Sequence, residues 1–188
     1  QPYPVFERLE IAALQTVNAI STAGYNSIPL SNLTLGVLLT IIFLMYVGAA
    51  PSSTGGGMKI TTLTAVIAIV KSKVRNQAKV TYLGKKIPAD RLEMAVSTFI
   101  FYTAILFFSV FLLSFTENHS LEKLLFEATS AIGTVGLSMG ITGSLSVWGK
   151  IILISIMFIG RVGVITFGLA ILAKKQHKKI DNETDLAV

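Results

Sequence analysis

The sequence predicts an all-α, polytopic membrane protein built from two tandem helix–loop–helix repeats. Three observations predict it. Hydrophobic residues make up 52% of the 188 residues and charged residues only 14%, and mean hydropathy is +0.69. Apolar stretches over 33–50, 92–115 and 147–172 approach or exceed the roughly 20 residues that carry a helix across a bilayer core. The segments preceding the first and third stretches match each other at one fixed offset.

The segment from Pro2 to Ile20 mixes polar and apolar residues, and Pro4 suits a helix start because its missing N–H is not needed there. Its polarity is too mixed for a span in contact with lipid. Residues 21–32 read as a loop, with Gly24, Asn26, Ser27, Pro29, Ser31 and Asn32. Leu33–Ala50 is a spanning candidate that runs into Pro51-Ser-Ser-Thr-Gly-Gly-Gly57, which cannot continue as ordinary helix. Apolar sequence resumes from Ile60 to Val70 but is too short to span alone. Residues 33–72 therefore read as one long helix with a break. Leu92–Phe115 is a second span, residues 117–120 a polar turn, and Leu121–Ile132 a short amphipathic helix. Gly133-Thr-Val-Gly-Leu-Ser-Met-Gly140 follows it. Val147–Leu172 is a third span, about 39 Å long as a helix. That exceeds a core of roughly 30 Å, so it tilts or protrudes.

Basic residues set the orientation. Lys+Arg number 16 against 10 Asp+Glu, concentrated in 71–91 and in the tail 174–179. The positive-inside rule puts 71–91 and 174–188 in the cytoplasm. Both amphipathic helix–loop segments then lie on the outer side. Cytoplasmic loops of a membrane protein account for this charge pattern without nucleic acid. The chain has no cysteine, hence no disulfide and no Cys-containing metal site. No signal peptide opens it, and its start at Gln1 is expected to lie inside a larger protein.

An offset of 112 residues pairs Leu9 with Leu121, Glu10 with Glu122, Ala19 with Ala131 and Ile20 with Ile132. It sets Thr22 on Thr134 and Gly24 on Gly136, then Leu33 on Leu145, Ile42 on Ile154, Met45 on Met157 and Gly48 on Gly160. Gly56 falls on Gly168. The order short helix, Thr-x-Gly loop, apolar helix is kept without a gap. Repeats of equal orientation build transport sites at their shared interface.

A dehydrated cation in a membrane needs oxygen ligands, which pores supply as rings of backbone carbonyls. Aiming successive carbonyls at one axis takes unusual dihedrals, which glycine adopts at little steric cost. A short helix ending at such a strand turns its negative dipole end to the cation. Thr22, Ala23, Gly24 and Tyr25, with Thr134, Val135, Gly136 and Leu137, meet these demands. They are the candidate potassium-binding filter residues. One such triplet alone reads as an ordinary turn; two at equivalent places favour a filter. The fold class becomes tandem helix–pore-loop–helix repeats as in tetrameric cation channels.

With these features the sequence resembles the last two of four repeats of the Trk/Ktr/HKT superfamily, close to the bacterial Ktr membrane subunit. The likeness covers nearly the whole chain. It divides the chain into a third repeat without its first helix (1–72), a cytoplasmic basic loop (73–91), a complete fourth repeat (92–173) and a cytoplasmic tail (174–188). Both strands lack the second glycine of Thr-Val-Gly-Tyr-Gly. The resemblance implies potassium uptake across the cell membrane, as a non-enzyme with no covalently bound cofactor and with coupling to sodium left open. It also implies completion by the remaining repeats of the same protein, a homodimer of whole pores, and a cytoplasmic nucleotide-binding regulatory ring. The basic loop and tail are its expected docking surfaces.

The broken segment comprises Gly48, Pro51, Ser52, Ser53, Thr54, Gly55, Gly56, Gly57 and Lys59. Small polar residues can line water or move as a flap; a cytoplasmic linker is the bland alternative. The resemblance implies an intramembrane gate loop. Arg161, in the middle of the third apolar stretch, faces a cavity if charged groups there follow the usual rule, or ties carbonyls between helices. The resemblance assigns it to contact with the gate loop, pairing with carbonyls of 50–57. A phosphate-binding loop is excluded because Met58 separates Gly57 from Lys59 and Ile60 occupies the Ser/Thr position. Trp148 suits an interfacial anchor. Glu10 and Glu122 either attract cations or are simply solvated. An intramembrane enzyme lacks a nucleophile–base pair at depth, since His119 and His177 fall in a loop and the tail. An unrelated secondary carrier with its substrate at 48–59 is the rival transport reading.

Overall fold

The computed structural model describes residues 4–26, 28–48, 50, 55–77, 80–82, 85–163 and 166. The elements in order are α1 (Val5–Ser21), α2 (Leu35–Tyr46), α3 (Ile60–Val74), β1 (Thr81–Tyr82), β2 (Lys85–Lys86), α4 (Ala89–Thr116), α5 (Leu121–Ile132) and α6 (Val147–Val162). Two single 3₁₀ turns stand at Leu30–Asn32 and Thr142–Ser144.

The architecture is helical. Among the described residues α4 is the one helix long and apolar enough to cross a membrane; its 28 residues extend about 42 Å. Its outer face carries Phe107, Phe108, Phe111 and Phe115, all exposed and linked ring to ring in a ladder. Such a face suits lipid contact. The opposite face buries Tyr102, Leu106 and Leu113 against Leu124 and Ile132 of α5 and Leu153 and Ile156 of α6. A second core joins the two halves: Ile42 and Met45 of α2 meet Phe126 of α5, with Val135, Leu137 and Met139.

The offset seen in sequence recurs in the backbone. α2 and α6 begin at Leu35 and Val147, and the 3₁₀ turns begin at Leu30 and Thr142. Each pair is separated by 112 residues, the spacing that also separates the hydrogen-bonded pair Asn26 and Ser138.

The helical fold carries one small addition: β1 and β2 pair antiparallel inside the basic loop. Two expectations need correction. The third apolar stretch does not continue as one helix, because α6 ends at Val162 with Gly163 at φ +92°. That positive φ suits glycine and is not helical backbone. Arg161 consequently lies in the last turn of α6 rather than mid-helix. The remainder of the expected span and the tail lie outside the described residues, apart from Thr166, as do Pro51, Ser52, Ser53 and Thr54.

Close packing fixes α6 at both ends. A Cβ on Gly160 would meet the Ile132 carbonyl, so α5 and α6 touch backbone to backbone there. At the start of α6, the Glu117 carboxylate accepts from the Ser146 N–H at 3.1 Å and from its hydroxyl at 2.5 Å. The Ser146 hydroxyl in turn accepts from the Gly149 N–H at 3.1 Å, capping the helix. Burial pushes the Glu117 carboxyl up, but hydrogen bonds from the Ser146 hydroxyl and N–H, the neighbouring His119 and the Gly149 N–H outweigh it. The net direction is down. A carboxyl held below its unfolded value stabilises the fold above that value and ceases to do so as pH falls through the folded one. Thermal unfolding of detergent-purified protein should therefore show a loss of stability from pH 7 to acid that is smaller in Glu117→Gln. An identical acid loss in both proteins would remove Glu117 from this role.

Candidate functional site

Each Thr-x-Gly strand leaves the end of a short helix through the same backbone geometry. Thr22 and Thr134 have φ of 59° and 53°, and Gly24 and Gly136 have φ of 74° and 91°. Left-handed threonine is uncommon because its β-branch crowds the backbone. Its occurrence at both equivalent positions marks a built feature. The helix-end hydrogen bonds also repeat: Ala23 N–H donates to the Asn18 carbonyl at 3.3 Å and Val135 N–H to the Ser130 carbonyl at 2.9 Å.

The strands lie side by side at their glycines. A Cβ on Gly136 would stand 3.6 Å from the Gly24 Cα, and one on Gly24 would strike the Val135 carbonyl. Further along, the Asn26 side-chain amide donates to the Ser138 carbonyl at 3.2 Å. Val135 and Leu137 point into the core, whereas Ala23, Tyr25 and Gly136 are exposed. The Asn18 side chain donates to the Tyr25 carbonyl at 2.9 Å, bracing the first strand.

The described part of the broken segment touches the second strand. Gly56 N–H donates to the Thr134 hydroxyl at 2.8 Å. A Cβ on Gly56 would stand 2.6 Å from Thr134 side-chain atoms and 3.1 Å from the Gly160 carbonyl. Gly57, at φ +81°, packs near the Gly133 Cα and the Tyr102 hydroxyl, and Gly48 packs near the Thr22 methyl. Met58 is fully buried. Lys59 donates from Nζ to the Gly55 carbonyl at 2.7 Å and stands at the N-cap position of α3 without a side-chain cap bond. Arg161 follows Gly160 directly, with its side chain exposed. The geometry thus gathers Thr22, Gly24, Gly48, Gly56, Gly57, Thr134 and Gly136 into one region.

Sequence reasoning passed over Glu127. This carboxylate of α5 is only 5% exposed and accepts from Ser138, Met139 and Thr142. The signal lay in the repeat, where Glu127 stands opposite the equally polar, equally buried Gln15. No cluster of metal-ligating side chains occurs among the described residues.

The described residues thus form a helical protein with two equivalent Thr-x-Gly strands and one helix long and apolar enough to cross a membrane. The family model for TrkH, described as cation transport protein, matches residues 1–182. The chain therefore belongs to the TrkH family of cation transport proteins, within the Trk/Ktr superfamily. It is 39% identical over 159 residues to Ktr system potassium uptake protein D of Bacillus subtilis, covering 84% of this chain and 35% of that protein. It is 35% identical to potassium/sodium uptake protein NtpJ of Enterococcus hirae, covering 81% of this chain and 35% of the relative. The chain thus spans about a third of the length of these relatives. The crystal structure of the potassium transporter TrkH from Vibrio parahaemolyticus superposes with a TM-score of 0.74 at 22% identity, over 90% of this chain and 38% of that one. That likeness is one of fold.

The Gly56–Thr134 hydrogen bond yields a direct expectation. Thr134→Val leaves a buried N–H without its acceptor, a loss of about 1–3 kcal/mol, whereas Thr134→Ser retains the hydroxyl. Amide exchange at 55–57 should accelerate in the valine variant and stay near parental in the serine variant. Equal protection in all three proteins would contradict the bond's role in holding the loop.

Proposed function

We propose that this chain supplies two of the pore-forming repeats of a membrane protein that takes up potassium. The paired strands at Thr22–Tyr25 and Thr134–Leu137 form half of a carbonyl filter. The single observation that carries this reading is the repetition of left-handed threonine and glycine at the ends of two short helices whose strands lie side by side. A cation stripped of water needs such a preset array of oxygens, with its geometry held by the surrounding protein. The C-terminal ends of α1 and α5 add their negative dipole ends.

Residues 1–72 are the third repeat, 73–91 a cytoplasmic loop, 92–173 the fourth repeat and 174–188 a cytoplasmic tail. The filters face outward. Remaining repeats complete the ring, since two strands cannot surround an ion. The loop from Gly48 to Lys59 acts as the gate below the filter, and Arg161 works beside it. Support comes from the contact of Gly56 with Thr134 and its approach to Gly160. A homodimer of whole pores and a cytoplasmic nucleotide-binding ring complete the assembly. The exposed basic hairpin around Lys85 and Lys86 offers a docking surface. Names of relatives that include potassium uptake and potassium/sodium uptake support the ion class.

Growth at low potassium of a bacterium stripped of its own uptake systems tests the reading. The complete transporter should restore growth. Gly136→Ser places a side chain at φ +91° and should lower the preference for potassium over sodium roughly tenfold or more, about 1.4 kcal/mol. Parental selectivity in the variant would sink the filter assignment. Failure of the complete, membrane-expressed protein to restore uptake would sink potassium transport.

A further inference from the structure

The buried carboxylate of Glu127 is not explained by lining a pore. It lies within α5, behind the strand, and buries its charge to 5% exposure. Such burial is costly unless the group is hydrogen-bonded. Here the partners are drawn from one place. Glu127 Oε1 accepts from the Ser138 hydroxyl at 2.6 Å and from the Met139 N–H at 3.0 Å. Oε2 accepts from the Thr142 hydroxyl at 2.9 Å. The Ser138 and Thr142 hydroxyls are themselves 2.9 Å apart, and the Gly140 N–H donates to the Ser138 hydroxyl at 2.9 Å.

These bonds fix the outer end of the second strand on its inner side. The opposite side is held by Asn26, whose amide reaches the Ser138 carbonyl. The first strand has no such carboxylate: the 112-residue offset puts Gln15 where Glu127 stands and Leu30 where Thr142 stands. A carboxylate thus stands in α5 where a carboxamide stands in α1.

We propose that Glu127 is a positioning residue that holds the outer half of the strand 134–139 and thereby tunes ion preference at one filter strand. The inference rests on the pore reading above. It assigns the role to hydrogen-bond geometry rather than to the negative charge. A Glu127→Gln side chain can keep that geometry: its amide oxygen accepts from Ser138 and Met139. Its NH₂ donates to Thr142, whose hydroxyl then turns to donate to Ser138. Leucine at this position removes every one of these contacts.

The test is potassium uptake by the complete transporter in cells lacking their own systems, at matched membrane abundance, with KM and potassium-over-sodium preference read separately. Glu127→Gln should stay within about twofold of the parent. Glu127→Leu should raise KM and lower preference by roughly tenfold each, and Thr142→Val, which removes one bond, by about threefold. A merely structural role would lower abundance and leave both quantities unchanged. Parental KM and preference in Glu127→Leu would overturn the proposal. So would a glutamine variant as impaired as the leucine one, since charge and not position would then matter. Should the leucine variant fail to reach the membrane, Thr142→Val decides: a shift in preference supports the strut and parental behaviour overturns it. A parent protein without potassium uptake would overturn the pore reading as well, a result distinct from normal uptake insensitive to residue 127.

Discussion

A helix that stops within an apolar layer leaves its last carbonyls without partners, and lipid cannot supply them. In the proposed pore, stopping two helices in that way is the constraint from which much of this structure follows. α1 and α5 each end where the chain turns through a left-handed threonine, and the turn returns N–H groups to the helix end. Thr22 and Ala23 bond back to Asn18, and Thr134 and Val135 to Ala131 and Ser130. The strand beyond is then irregular backbone and must be buried in protein or face water. The two strands lie against each other: a Cβ on Gly24 would strike the Val135 carbonyl, while at Gly136 it is the φ of +91° that favours glycine.

The second half of the chain pays more attention to this constraint than the first. α5 buries nearly every residue from Leu124 to Ile132, including Thr129 and Ser130, between α4 and α6. α1 buries only Gln15, Asn18 and Ala19 among its residues and leaves Val5, Phe6, Leu9 and Val17 exposed. Equal backbones thus sit in unequal surroundings. The apolar groove between α1 and α2, about 770 Å³ and lined by Ile11, Val37 and Leu44 among others, is the counterpart of this difference.

The fold was legible where a constraint leaves a residue-type signature. The long apolar stretch at 92–115 showed the helix α4, and Gly55-Gly-Gly57 showed a break, because a run of glycines disfavours helix. The paired Thr-x-Gly motifs were legible because the same offset joined them to flanking apolar residues. The hairpin at 81–86 was not, since a short exposed ladder of Thr, Tyr and Lys has no buried face to impose alternation. The end of α6 was missed because a single glycine within an apolar run is equally compatible with unbroken helix; its φ is a product of tertiary packing. Glu127 was not legible because its meaning depends on Ser138 and Thr142 folding back onto it.

Thr134 joins these threads. Its backbone conformation starts one strand, and its hydroxyl accepts from Gly56 in the broken segment. The same glycine approaches the Gly160 carbonyl one residue before Arg161. Moving residues 55–57 away therefore breaks a hydrogen bond to the strand itself and opens the contact with the end of α6. In the proposed pore, gate and filter would share this residue, so that displacement of the loop changes the hydrogen bonding of the first filter position. Such coupling needs no long pathway, only two states of one loop with different partners for one hydroxyl. The strut from Glu127 acts at the other end of the same strand, where Ser138 and Met139 are held independently of the loop. A strand pinned at its outer end and shared at its inner end can respond to the gate near Thr134 while keeping its shape beyond Gly136.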